Sequence, residues 1–356
     1  MSFGSGLDSQ FGIGEEGTVG SADTVDHFYA LSASDLALSP TFIESDGIRA
    51  GEKFKRSTET GISKVTADGS VTVPYSYKQM AQLWRLALGA PLTQASSDTG
   101  ATPVQVGTTA AYESVLSTGP LFGLSSTIEI AKSEPGSGDI YPFTYNGCKV
   151  TEWQLSITDG DEITLKLTFD AWNEDIGSAN AETTATFVSS QKNWNFADVS
   201  SFKLGGTAST TDSKVSISSG VSVEAIVTSM TITGTNHFAS ERYGLGNAGV
   251  KAEQIENDFT EIMIEFESEL AVTELYTPFV EGTITAFQLD LTAAANSIDT
   301  GHAFKHTFIA PAIEFQEASS EVSGPDLISL KGSAKVFYDG TNNPFQVYIM
   351  SSDATL

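Results

Sequence analysis

The sequence predicts a mainly-β chain built as two tandem units, each with one flanking α-helix. Three observations carry that expectation. Alternation of apolar and polar residues recurs along most of the chain, the period-two signature of half-buried strands. Only two segments, Tyr77–Leu88 and Glu269–Val280, place apolar residues at helical spacing. One order of features also occurs twice, about 160 to 200 residues apart, which is too long for a solenoid repeat of ~20–50 residues and indicates a duplicated domain.

In the first copy a strand at Leu36–Leu38 leads through Ile48-Arg49-Ala50 to a strand at Val71, Val73 and Tyr75, then a helix over Tyr77–Gly89. In the second, Met230–Ile232 leads through Val250-Lys251-Ala252 to Ile262, Ile264 and Phe266, then a helix ending at Gly282. Leu83-Trp84 and Leu275-Tyr276 mark the helix centres, and both helices close on glycine, the usual C-terminal cap. Pro278 interrupts the second helix near its end. Downstream, Thr127-Ile128-Glu129-Ile130 parallels Gln288-Leu289-Asp290-Leu291, and Glu152-Trp153 parallels Glu314-Phe315. The clearest hairpin joins Trp153, Leu155 and Ile157 to Ile163, Leu165, Leu167 and Phe169 through Thr158-Asp159-Gly160-Asp161. Asp-Gly there supplies the positive φ of a tight turn.

These signals divide the chain. Residues 1–24, rich in Gly and Ser, read as an arm that is extended or ordered only by a partner. Residues 25–172 form the first unit, with a long pattern-poor loop at 90–126 that the second copy lacks. Residues 173–220 connect, with short strands near Phe187-Val188 and Val199–Leu204. Residues 221–356 form the second unit.

Composition excludes several function classes. The chain has 356 residues, enough for two ordinary domains, and its 40% hydrophobic content supports a packed core. Its 45 acids against 18 bases give a net charge of −27, which opposes any role clamping nucleic-acid phosphate. Cys148 is the single cysteine, so no intramolecular disulfide forms, which suits a reducing compartment. The start, Met1-Ser2-Phe3-Gly4-Ser5-Gly6, does not read as a secretory signal, and no stretch approaches the ~20 apolar residues of a membrane span.

No catalytic, cofactor or metal site emerges. His302 and His306 are four apart, but Gly301 and the strand-like Thr307-Phe308-Ile309 argue against the helix that would make them zinc ligands. Gly244-Leu245-Gly246-Asn247-Ala248-Gly249 precedes a polar, acidic strand, so no helix dipole faces a bound pyrophosphate. Asp159-Gly160-Asp161-Glu162 lacks EF-hand spacing and reads as a solvated turn. The strands do share an acidic polar side. Glu261 and Glu265 alternate with Ile262, Ile264 and Phe266, while Glu129 and Asp290, and Glu152 and Glu314, take matching outward positions. Sheets of this kind repeated around an axis would form a negative wall.

Gly4-Ser5-Gly6-Leu7-Asp8-Ser9-Gln10-Phe11-Gly12 with Glu15-Glu16-Gly17-Thr18-Val19-Gly20 resembles the start of the tail tube proteins of long-tailed bacteriophages, especially those of actinobacteria. Ile43-Glu44-Ser45 with Gly47-Ile48-Arg49-Ala50-Gly51, and Glu241-Arg242-Tyr243-Gly244-Leu245-Gly246 leading into Val250-Lys251-Ala252-Glu253, extend the resemblance over nearly the whole chain. It implies a β-sandwich or barrel with a flanking helix, six such domains per ring, and rings stacked into a hollow virion tail tube assembled in the host cytoplasm. A chain carrying the domain twice would close as a trimer of pseudo-sixfold symmetry, with a hexamer as the alternative. The implied partners are the chain itself, a tape measure protein, a tail terminator and distal tail proteins, with double-stranded DNA passing transiently and without sequence preference. Glu129, Glu152, Glu261, Glu265, Asp290 and Glu314 would then face the lumen and repel phosphate, within a screening length of ~8 Å. The rival reading is a monomeric cell-surface or carbohydrate-binding β-sandwich protein.

Overall fold

The computed structural model describes residues 5–89, 103–134, 139–176, 184–321, 324–325 and 327–356. The loop residues 90–102, like residues 1–4 of the expected arm, lie outside them. The fold is mainly β, as the alternation predicts.

In the first unit the strands are β1 (Ser5–Glu15), β2 (His27–Tyr29), β3 (Ala33–Ser34), β4 (Ala37–Glu44) and β5 (Thr60–Pro74). Helix α1 (Met80–Leu88) follows, then β6 (Val104–Gln105), β7 (Tyr112–Ser117), β8 (Ser126–Glu134), β9 (Asp139–Thr158), β10 (Thr164–Ala171) and β11 (Asn173–Ile176). β9 belongs to two sheets. Its residues 139–148 lie between β8 and β11, while 149–158 pair β10 on one side and a strand of the second unit on the other. Gly160, at φ +75°, turns β9 into β10 as the Asp-Gly pair predicts.

The second unit begins with β12 (Val199–Leu204), the hairpin β13 (Thr207–Thr211) and β14 (Lys214–Ser218), and β15 (Val221–Ser222). It continues with β16 (Val227–Thr235), β17 (Phe238–Ala239), β18 (Ile255–Glu256) and β19 (Glu261–Glu269). After helix α2 (Thr277–Glu281) come β20 (Thr285–Asp299), β21 (His302–Glu321), β22 (Ser329–Val336) and β23 (Gln346–Ser351). Its pairings repeat those of the first unit in order. β1–β8 recurs as β12–β20, β8–β9 as β20–β21, and β9–β10 as β21–β22. β10–β5 recurs as β22–β19, β5–β4 as β19–β16, and β9–β11 as β21–β23. Like β9, β21 is shared between two sheets: 305–309 pair β23, and 313–321 pair β22. Even the bulges agree, with Thr151 skipped in one strand and Gln316 in the other.

The registers refine the sequence alignment. Ile128 corresponds to Phe287 and Glu129 to Gln288, two residues from the match read off the sequence. Lys149-Val150 corresponds to Glu314-Phe315, so Glu152 matches Glu317 rather than Glu314. A period-two pattern looks the same after an even shift, and the bulges at Thr151 and Gln316 keep the faces through the three-residue shift as well, which is why sequence alternation could not set the register.

The units share one hydrophobic core, with α1 at their junction. Eight of its nine residues are buried, including Trp84, which meets Trp153 edge-on at 5.0 Å. The Tyr75 hydroxyl accepts from Trp84 Nε1 at 2.9 Å and lies 2.7 Å from His306 Nδ1 of β21. Burial pushes His306 down to about 3, so its imidazole stays neutral. The four-residue spacing of His302 and His306 spans a strand, as Thr307-Phe308-Ile309 suggested. α2 is shorter than the expected helix. A π-turn at Val272–Tyr276 precedes it, and Pro278 stands in the first turn of α2, where its missing N–H costs no intrahelical bond. Gly282 closes α2 in the left-handed region, whereas Gly89 ends α1 at φ +103° with an extended ψ.

Two segments depart from their sequence reading. Residues 5–15, expected within an arm that is extended or ordered only by a partner, are β1, with Phe11 and Ile13 fully buried against β8. In the loop at 90–126, residues 112–117 form β7, which pairs β23 of the second unit and ties the units together. In the connecting segment the strand expected near Val199–Leu204 is β12, which pairs β20 in the second unit's sheet.

Candidate assembly interface

β5, β10, β9, β16, β19, β22 and the second half of β21 lie side by side as one antiparallel sheet running through both units. Its inner face is apolar: Leu165, Leu167, Trp153, Leu155, Ile232 and Ile264 are all buried. Strand pleating puts the intervening residues on the opposite face. They include Thr, Ser and Gln with Asp68, Glu152, Glu261, Glu265, Glu267, Glu269, Glu314 and Glu317, against Lys166, Lys331 and Lys335, together with Met263 and, beneath the 251–254 segment, Asp170 and Lys149. Gly234 is required at the seam between the units. A Cβ there would lie 2.1 Å from the Trp153 indole.

The six predicted acids separate into two groups. Glu152, Glu261, Glu265 and Glu314 share the polar face of this sheet. Glu152 and Glu265 are exposed, Glu261 and Glu314 half-buried. Glu261 pairs with Lys335, and Glu267 lies 3.8 Å from Lys331. Glu129 and Asp290 do not share that face. Both are buried in the other sheets, on β8 and β20. Thr127, two residues before Glu129 and on the same side, is covered by the 16–26 segment: its hydroxyl donates to Glu16 and accepts from the Asp23 amide. Around Asp290, Ser201, Thr307 and Gln288 donate to the carboxylate, with Lys305 at 3.2 Å. Burial acts to raise that carboxyl, but these donors outweigh it and hold it below the usual range. Glu267 and Glu317 lie on the same face; Glu267 was legible as a polar position of an alternating strand, whereas Glu317 is brought there by the bulge at Gln316.

The repeated cationic step has a structural role that the sequence did not reveal. Lys251, in the long connection between β16 and β19, bonds Asp170 of β10 and donates to Thr66 at 2.8 Å. Gln254 donates to Asp170 and accepts from Trp172 Nε1. Glu253 meets Lys149 at 2.7 Å, on a side chain 1% exposed. Burial lowers the Lys149 ammonium and raises the Asp170 carboxyl, each opposed by its partner. The segment 251–254 is thereby latched onto the first unit.

The chain's two outer edges lack such partners. β9 carries β10 on one side and β16 on the other, whereas β21, over 314–321, pairs only β22 among the described residues. At the other end β3 and β4 pair only β5 among the described residues. Exposed apolar side chains cluster near these ends, including Phe42, Ile43, Ile48 and Phe54 on one and Val272, Val280 and Tyr338 on the other.

The model of the phage tail tube protein family matches residues 6–346. The chain belongs to that family. No curated protein matches it. It is therefore a structural component of the virion tail and not an enzyme, and it assembles with itself and with other tail proteins into a tube. Among the described residues no helix is long and apolar enough to cross a membrane, and no group of His, Cys, Asp and Glu is arranged to hold a metal ion.

Proposed function

We propose that three copies of this tail tube chain close a ring in which the two units of each chain supply six equivalent positions, and that rings stack into a hollow tube that conducts DNA during ejection. One observation carries the reading. The β9–β16 pairing joins two like-built units edge to edge, while the counterpart edges at the chain's ends pair with no further strand among the described residues. A contact that repeats a like edge on the opposite side of the same subunit is heterologous, and it generates a ring when the rotation closes. Closure also removes the exposed strand edges that invite indiscriminate pairing.

The polar face of the continuous sheet then lines the lumen. Its excess of carboxylates repels DNA phosphate at short range, so the duplex slides without binding. Glu152, Glu265, Glu314 and Glu317 support this, since none forms an ion pair with a described residue. A tape measure protein inside, and terminator and distal tail proteins at the ends, are the partners such a tube requires.

Averaged micrographs of purified protein test the ring. Threefold rings with sixfold-like density are expected; strict sixfold rings with the second unit outside, or a persistent monomer, would overturn it. Replacing Glu152, Glu265 and Glu314 by Lys tests the lumen. Particles carrying the triple variant should release DNA more slowly than wild type, most of all at low salt, because lysines add phosphate contacts with counterion-release salt dependence. Equal release rates at low salt would put these side chains elsewhere.

A further inference from the structure

A groove of ≈ 710 Å³ opens on the second unit between Asp258–Ile262 and Lys335–Tyr338, with Thr118 and Gly119 of the first unit also lining it. Strand registers identify its counterpart in the first unit. Lys335 corresponds to Asp170, so Phe337 corresponds to Trp172, and Glu261 corresponds to Thr66. In the first unit that place is filled. Lys251 sits on Asp170 and Thr66, and Gln254 sits against Trp172. Its occupant is the long connection that follows the joining strand β16.

The equivalent connection of the first unit, residues 45–59 between β4 and β5, has no such seat. It is exposed almost throughout, with Ile48 at 98% and Phe54 at 90% exposure. It carries Ile48-Arg49-Ala50, the partner in sequence of Val250-Lys251-Ala252. One copy thus presents an empty groove and an unseated segment, at opposite ends of a chain whose internal junction unites the same two features.

We propose that the groove at Lys335–Tyr338 receives the 48–54 segment of the next copy in the ring. The inference rests on the ring reading above and specifies its contact. Ile48 and Phe54 cover the apolar floor made by Phe259, Phe337 and Tyr338, whose exposures of 91%, 37% and 65% then fall. Arg49 reaches Glu261, as Lys251 reaches Thr66 within the chain. The same step pairs residues 317–321 of β21 with the β3–β4 edge of that neighbour, repeating the β9–β16 seam.

The test is a chain with Ile48→Cys and Tyr338→Cys, oxidised after assembly and run beside wild type on non-reducing gels. Cys148 is buried and stays as it is. Covalent products that stop at the ring number are expected, with none from either single variant. Each chain offers one segment and one groove, so a closed ring must terminate the series. Products that continue into an unlimited ladder would place the contact between stacked rings and overturn the in-ring docking. Tubes that form without cross-linking would overturn the docking and leave the ring reading standing. Wild-type protein that never assembles would overturn both. As a second measurement, Phe337→Glu should leave the melting temperature of the chain unchanged and raise the protein concentration needed for assembly about tenfold or more. Unchanged assembly of that variant would also sink the proposal.

Discussion

Lys335 holds, in the second unit, the strand position that Asp170 holds in the first. The sign of the charge is reversed, and so is the state of the site. Asp170 is covered by Lys251 of the chain's own latch, whereas Lys335 borders an open groove beside Glu261. Two like-built units have therefore diverged at the place where the first receives the chain's own latch.

The Asp170–Lys251 pair should be costly to break from one side. Asp170→Leu strands a buried ammonium and is expected to lower unfolding free energy by about 3–5 kcal/mol in urea titrations. Asp170→Leu combined with Lys251→Met removes both charges and should recover most of that loss. Equal losses in single and double variants would show that the latch depends on packing and not on charge.

Gly234→Ala should destabilise the seam between the units. The added methyl would lie 2.1 Å from Trp153, too close to accommodate without moving an indole that is itself packed on Trp84. Overpacking of this kind costs about 1–3 kcal/mol or more. A thermal melt within about 1 °C of wild type would contradict the contact.

The two groups of acids should respond differently to charge reversal. Glu265→Lys, on the exposed polar face, should change stability by no more than about 0.5 kcal/mol. Glu129→Lys would bury an ammonium where the side chain is 0% exposed, and should cost at least about 3 kcal/mol or abolish folding. Comparable melting curves for the two variants would refute the division.

His306 should make stability fall in mild acid. The unfolded imidazole binds a proton below about pH 6.5, while the buried one resists until about 3. The unfolded state binds more protons across that window, so stability drops as pH falls through it, by up to about 1.4 kcal/mol per pH unit. Between pH 7 and 5, wild type should therefore lose about 2 kcal/mol more than His306→Phe, read from urea unfolding at both values. Identical losses would show that His306 is not held neutral.

The sequence by itself determined the fold class, the two helices with the alternating strands around them, and the repeated order that the like-built units share. Strand alternation and helical spacing are local, so they survive in the residues whatever packs on them. Thr158-Asp159-Gly160-Asp161 marked its hairpin for the same reason: the turn needs a positive φ that Gly160 supplies alone. Register and burial were decided only by the tertiary structure. A period-two pattern separates the two faces of a strand but does not say what covers the polar one. On β19 Glu265 is exposed, with none of the described residues covering it. On β8 the neighbour of Glu129, Thr127, lies beneath Glu16 and Asp23 from a segment more than 100 residues earlier, and Glu129 is buried with it. The latch at Lys251 was visible as a repeated motif, yet its purpose depends on Asp170, Thr66 and Lys149, which the chain brings together only when both units have folded and met.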